Sequence, residues 1–207
     1  MRVAVVDPLT PDRAVIDEAA GILRRGGIVA YPTDTLYGLA VDPSSDAAVE
    51  ALFALKGRDA AAAIALIAAD PAHAEQAGRF GAVERRLAAA FWPGPLTIVV
   101  PASAGMSRRL APGGTVGVRV PAHAVACALA LRFGGCITAT SANPSGGTAP
   151  STAMDVARSF ASGIDLVLDA GPAPGGAPST IVEVIAGRLT LHRAGAIAWD
   201  RVLESVE

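Results

Sequence analysis

Lysine and asparagine are close to absent from this 207-residue chain, and cysteine is scarce. Lys56 is the single lysine among seventeen basic side chains, and Asn143 is the single asparagine. Cys127 and Cys136 form no CxxC pair and have too few histidines near them for zinc, so neither a disulfide scaffold nor a metal module is indicated. A reducing cytosol is the expected setting. Excess positive charge is lacking too: a formal net charge of −2 excludes a surface coated with cations for nucleic acid, and leaves only a local gathering of the sixteen arginines as a route to RNA. Long apolar runs are also missing. The longest, residues 60–69, has about half the ~20 residues of a membrane-spanning helix. The opening MRVAVVDPLT has neither the apolar stretch nor the cleavage site of a secretory signal. A cytoplasmic protein without membrane contact is expected.

What is present reads as a single α/β (α+β) domain over residues 1–207, since no Ser/Gly/Pro-rich linker divides the chain into two compositions. Helical spacing of apolar residues marks 12–25, 46–56, 82–91, 124–133 and 152–160; the second is capped by Ser45 and ends in Lys56, where the helix dipole favours a cation. Strands are expected at 28–31, 64–68, 96–100, 116–120, 136–140, 166–168, 181–184 and 189–192. The segment YPTDTLYGL, from residue 31, reads as a hydroxyl-rich loop able to present side chains to a ligand. The last two strands, joined by residues 185–188, read as a hairpin, so the sheet is expected to be twisted, open, mixed and only partly parallel, with helices flanking it.

The lone lysine and the lone asparagine stand in informative places. A composition that uses arginine wherever any cation will serve keeps lysine where a compact ammonium is required and a planar guanidinium is not equivalent. Arg58 lies two residues on, in Lys56-Gly57-Arg58. Asn143 sits in Ser141-Ala142-Asn143, just past an apolar strand, and the C-terminal ends of strands are where open α/β sheets bind ligands. Taken singly, each has a plainer explanation: a solvated cation at a helix end, and a turn residue before Pro144. His73, His123 and His192 fall in no acid–base constellation and are expected in the core or on the surface, and Phe91 and Trp92 read as core.

Five segments stand in order: YPTDTLYGL, Lys56-Gly57-Arg58, WPGPLT from residue 92, Ser141-Ala142-Asn143 and PSTIV from residue 178. Together they resemble the YrdC-like family over about residues 21–197. The resemblance implies the YrdC-like (YrdC/RibB) fold and a nucleotidyltransferase that makes L-threonylcarbamoyladenylate from L-threonine, bicarbonate and ATP, releasing pyrophosphate. Its product would feed the modification of adenosine beside the anticodon in ANN-decoding tRNAs, so a threonylcarbamoyl-transferase complex and tRNA are implied partners. By the same resemblance, Thr35, Arg119, Ser141 and Ser179 match positions that hold L-threonine. Lys56, Arg58, Thr115, Asn143, Ser151 and Arg193 match positions at ATP, with Lys56 and Arg58 as the catalytic cations against the phosphates. Mg2+ would arrive with ATP, and no protein side chain is expected to bind a metal.

The chain departs from the family at two places. After Arg58 the family continues with Pro, a polar residue and Pro, then a later His; here Asp59 and four alanines follow, and Ile67 stands where the His would fall. One ATP contact and one threonine contact are therefore expected to be missing. Two other functions share the resemblance: a carbamoyl-adenylating module of hydrogenase-maturation type, and a non-catalytic YrdC-like RNA-binding protein. The first normally sits in a much longer chain, and the second lacks the K-x-R and S-x-N pair retained here. The enzyme reading requires three loops to converge: the one after strand 28–31, Lys56-Gly57-Arg58, and Ser141-Ala142-Asn143.

Overall fold

The computed structural model describes residues 1–57 and 63–206. Among them, ten strands form one mixed sheet: β1 (Arg2–Val5), β2 (Val29–Pro32), β3 (Tyr37–Ala40), β4 (Ala65–Ile67), β5 (Leu96–Pro101), β6 (Thr115–Arg119), β7 (Ile137–Ser141), β8 (Leu166–Asp169), β9 (Thr180–Ile185) and β10 (Arg188–Arg193). Their order is β1-β8-β2-β3-β7-β4-β6-β5-β9-β10. The pairs β1/β8, β2/β8, β4/β6 and β5/β9 are parallel and the other five antiparallel, as the expected hairpin required. Seven helices accompany the sheet among the described residues: α1 (Arg13–Arg24), α2 (Asp46–Lys56), α3 (Pro71–Ala74), α4 (Ala82–Phe91), α5 (Ala124–Phe133), α6 (Ala153–Ser159) and α7 (Trp199–Glu204).

Local chemistry sets the helix ends. Asp12 accepts from the amides of Ala14 and Val15 at 2.8 and 3.2 Å, which satisfies two of the first-turn donors of α1. Ser45 Oγ accepts from Ala48 N at 3.2 Å and starts α2, and Gly57, at φ 58°, ends it in the left-handed region that glycine enters without strain. Both helices match the sequence expectation within a residue.

Alternation sends successive side chains of each strand to opposite faces, so the sheet has two unlike sides. On one, Leu39, Leu66, Ile98, Val118 and Val182 pack under α2, α4, α6 and α7 through Leu52, Leu87, Val156 and Val202. On the other, Val29, Tyr31, Ile67 and Ile137 meet Leu23 of α1 and Leu129 of α5. Following the strand register across that second face leads from Ile137 through Ala139 to Ser141 on β7, and from Ile67 to Ala65 on β4, Gly117 on β6 and Thr97 on β5. Large apolar side chains there give way to small and polar ones.

Four elements go beyond the sequence expectation: β1, β3, α3 and α7. The segment from Tyr31 is a hairpin as well as a loop, with β2 and β3 joined through Thr33–Leu36 by the bond Thr33 N to Leu36 O, 3.2 Å. Strand β3 lacks alternation because it is paired on both sides and all four of its residues are buried. The turn between β9 and β10 is tighter than residues 185–188, with Ala186 and Gly187 both at positive φ, 50° and 77°. Farther along β10 the register shifts between Leu191 and Arg193, so that Arg193 stands opposite Ile181.

Candidate active site

A cavity of about 370 Å3 opens on the α1/α5 side of the sheet, over the stretch where small and polar residues replace the apolar ones. Thr35, Arg119, Ser141, Ser179 and Arg193, all singled out from the sequence, line it together. Thr35 sits in the β2–β3 turn, which Thr33 organises: Thr33 Oγ1 donates to Leu36 O at 2.7 Å and accepts from the amides of Thr35 and Leu36 at 3.1 and 3.2 Å. Its hydroxyl is also 3.0 Å from that of Thr35. Ser141 ends β7, and Ser179 directly precedes β9.

Arg119 is 7% exposed and already engaged on one side. Its Nε donates to Gly94 O at 3.0 Å, and its Nη2 forms an ion pair with Asp34. Burial pulls its pKa below the ordinary guanidinium value and the Asp34 carboxylate opposes that pull; a guanidinium stays protonated regardless. Arg193 clasps Ser179, donating from Nε and Nη2 to the Ser179 carbonyl at 3.1 and 2.8 Å and from Nη2 to Ser179 Oγ at 3.0 Å. Burial, then the like charge of Arg119, lowers the Arg193 pKa, so the two cations feel each other at the site. No carboxylate lines the cavity among the described residues. The arrangement suits an anionic ligand with hydroxyl-bonding groups.

Lys56 departs from the plainer reading of a solvated helix-end cation. The ammonium neither lies in solvent nor lines the cavity: the residue is 3% exposed, and Nζ donates to the main-chain carbonyls of Ser141 at 2.5 Å and Asn143 at 2.7 Å. In return, Ser145 N donates to Lys56 O at 2.8 Å. The end of α2 is thus clamped to the strand-to-loop turn after β7, and the loops of Lys56 and Asn143 do converge. A helix-end cation is thus a buried tie to the carbonyls of Ser141, at the end of β7, and Asn143. Arg58 lies outside the described residues, as do Asp59 and the first three of the four alanines.

The remaining sequence candidates stand apart from this cavity. Asn143 is buried, its amide nitrogen donating to Pro144 O and Gly147 O at 2.7 and 2.8 Å, while its Oδ1 has no partner among the described residues. Thr115 opens β6 four positions before Arg119, on the same face and by strand rise about 13 Å away. Ser151 follows the loop and accepts through its carbonyl from Ala173 N at 2.7 Å. Neither lines the cavity. Ile67, standing where the family's His would fall, does line it.

Sequence reasoning gave no role to Asp34 or Thr97, although both lie in quoted segments. Asp34 is ion-paired with Arg119, its Oδ2 buried and without a partner among the described residues, and Thr97 Oγ1 is 2.8 Å from Ser179 Oγ on the cavity wall. Their signal was position inside a motif, and their partners lie 85 and 82 residues away in sequence. The histidines behave as expected of core and surface groups. His73 accepts from Ala69 N at 3.3 Å, and His192 pairs with Glu183 at 2.7 Å. His123 has a buried Nδ1 without a partner among the described residues, and burial lowers its pKa. Trp92 is core, donating to Leu96 O at 2.7 Å and meeting Phe80 edge-on.

An open mixed α/β sheet with hydroxyls and two guanidiniums gathered at one cavity is an arrangement suited to a small anionic ligand. The family described as telomere recombination, that of the Sua5, YciO and YrdC proteins, matches residues 21–195. A threonylcarbamoyl-AMP synthase of Halorhodospira halophila is 42% identical over 155 residues, which are 74% of this chain and 81% of the relative. One of Thiobacillus denitrificans is 40% identical over 169 residues, 81% of this chain and 89% of the relative. The structure of Pyrococcus abyssi Sua5 complexed with L-threonine superposes with a TM-score of 0.93 at 33% identity, covering 100% of this chain. This chain spans only 61% of that structure's length. The chain belongs to the Sua5/YciO/YrdC family.

Proposed function

We propose that this chain is a threonylcarbamoyl-AMP synthase. The observation that carries the reading is the meeting of Thr35, Ser141, Ser179, Arg119 and Arg193 at one cavity. Relatives of 42% and 40% identity bear that name, and the related Pyrococcus abyssi structure holds L-threonine. The amino-acid carboxylate is an acceptor suited to guanidinium donors, and the side-chain hydroxyl of threonine to the hydroxyls of the wall.

In the reaction, the threonine amine adds to bicarbonate with loss of water and gives a carbamate. A carbamate oxygen then attacks the α-phosphorus of ATP, and pyrophosphate leaves. No protein nucleophile is needed; the chain's contribution is to orient the carbamate and to place positive charge where phosphoryl oxygens gain negative charge. Arg193 serves that second purpose, and Arg58 follows Lys56 closely enough in sequence to share it. Mg2+ neutralises nucleotide phosphates when it is carried in on ATP. Lys56 acts indirectly, by fixing Ser141 and Asn143. Among the described residues no helix is long and apolar enough to cross a membrane, and we place the enzyme in the cytoplasm, supplying a threonylcarbamoyl-transferase complex that acts on tRNA.

Purified protein incubated with radiolabelled bicarbonate, ATP and a panel of amino acids tests the proposal. Label is expected in an adenylate only with L-threonine, because a site that hydrogen-bonds a substrate hydroxyl leaves its own groups unpaired with L-valine. Equal pyrophosphate release with both amino acids would remove threonine as the substrate, and none with either would remove the synthase reading.

A further inference from the structure

The WPGPLT segment ends in a hydroxyl that the reaction just outlined leaves without a task. We propose that Thr97 is a positioning residue for the substrate: it fixes the proton of Ser179, so that Ser179 donates to a carboxylate or carbamate oxygen of the bound amino acid. The inference rests on the synthase reading.

The argument is a count of protons and lone pairs. Arg193 Nη2 can only donate, so at 3.0 Å it occupies one lone pair of Ser179 Oγ. Thr97 Oγ1 lies 2.8 Å from the same oxygen, the optimum for a bond between two hydroxyls. The pair carries two protons and one of them closes the bond between its members. The other has no acceptor among the described residues, and both side chains line the cavity. Thr97 is the deeper of the two, 2% exposed against 7% for Ser179. Thr97 therefore donates to Ser179, and the Ser179 proton is directed into the cavity, polarised by the bond behind it.

Neither hydroxyl is free to turn away. The Ser179 carbonyl is held by Arg193 at 3.1 and 2.8 Å. Thr97 is oriented through its methyl group: a Cβ at Gly117, on the neighbouring strand, would come within 2.9 Å of Thr97 Cγ2, so the bare glycine is what lets the methyl lie there and turns the hydroxyl toward Ser179. The charge around the pair selects the ligand group. Arg119 and Arg193 stand at this wall, Asp34 is bound to Arg119, and no carboxylate lines the cavity among the described residues. A directed proton flanked by two cations is complementary to an anionic oxygen.

The test is calorimetric titration of L-threonine into wild type, Thr97→Val, Ser179→Ala and the double variant, with melting temperatures alongside. Thr97→Val keeps the shape and removes the hydroxyl; it is expected to weaken binding by up to about tenfold, the loss of the neutral hydrogen bond that orients Ser179. Thr97→Ser is expected to stay within about threefold of wild type, since the hydroxyl survives. Because Thr97 acts through Ser179, the Thr97→Val loss is expected to vanish in the Ser179→Ala background. Unchanged affinity in Thr97→Val, or the same loss with and without Ser179, overturns the proposal and leaves the synthase reading standing. If Thr97→Val does not fold, Thr97→Ala in the same two backgrounds decides by the same criterion. Absence of L-threonine binding in wild type brings down both.

Discussion

The two halves of one sheet face make an instructive contrast. Strand β7 crosses both: Ile137 packs beneath α5, Ala139 lies at the edge of that cover, and Ser141 faces the cavity. The same period of two that buries Ile137 presents Ser141, four residues on. Under α1 and α5 the face is filled by Val29 and Ile137, with Tyr31 and Ile67 at the boundary, packed in the core and lining the cavity; beyond them it carries Gly38, Ala65, Ala139, Thr97 and Arg119. The first half is therefore organised for stability and the second for emptiness, with side-chain size as the variable that changes along a strand.

Exchanging the sizes gives the largest expected effect. Leu23→Ala, under the cover, should cost about 2–5 kcal/mol of stability as the lost apolar contact and the residual cavity add, with the threonine KM of the folded fraction unchanged. Ala139→Leu, in the open half, should leave the melting temperature near wild type and reduce turnover on the order of 10²-fold, by displacing substrate from its geometry. Paired thermal melts and ATP–pyrophosphate exchange measure both. Equal losses of stability in the two variants would erase the contrast.

Lys56 joins the halves, because it is buried like a core residue yet supports the cavity wall. Lys56→Ala should cost about 1.5–3 kcal/mol for each charged hydrogen bond it removes, less whatever water recovers at the carbonyls of Ser141 and Asn143, and should lower exchange activity with it. Lys56→Arg should not restore either property, since a planar fork does not fit a pocket closed around a compact ammonium. Full stability in Lys56→Ala would show the tie to be dispensable.

The smallest effect concerns pH at the rim of the covered half, where His123 precedes α5. Burial holds its folded pKa below the ordinary 6.5, so the unfolded chain binds the proton more readily. Stability should be fully present above pH 6.5 and decline as the pH falls from there to the lower folded value. His123→Asn should flatten this part of the melting-temperature profile between pH 7 and 5. An unaltered slope would remove His123 from the acid response.

The contrast also explains what could be read in the sequence. Helices α1 and α2 were legible because apolar periodicity, a capping side chain and a closing glycine agree, and α5 because periodicity and its closing glycine agree. Strands β1 and β3, each of four residues, carry no usable periodicity, and α3 and α7 are too short to declare one. The resemblance brought Thr35, Arg119, Ser141, Ser179 and Arg193 to one cavity, but it gave no warning that Arg119 is shared with Asp34 or that Lys56 faces two carbonyls. Ion pairs and buried ties across 85 or 87 residues depend on strand register, which no local pattern contains.

The irregularity near the end of β10 decides which residue faces the cavity. Up to Leu191, opposite Val182, the odd-numbered Leu189 and Leu191 of β10 turn toward the larger core cluster, and strict alternation would send Arg193 there as well. The shift between Leu191 and Arg193 inserts one residue and reverses the parity, so that the guanidinium emerges beside Ser179. The bulge is a frame correction written into the backbone. It lets an odd position be read as an even one, and it makes the spacing between Leu191 and Arg193, more than the identity of His192, the property on which this corner of the site depends.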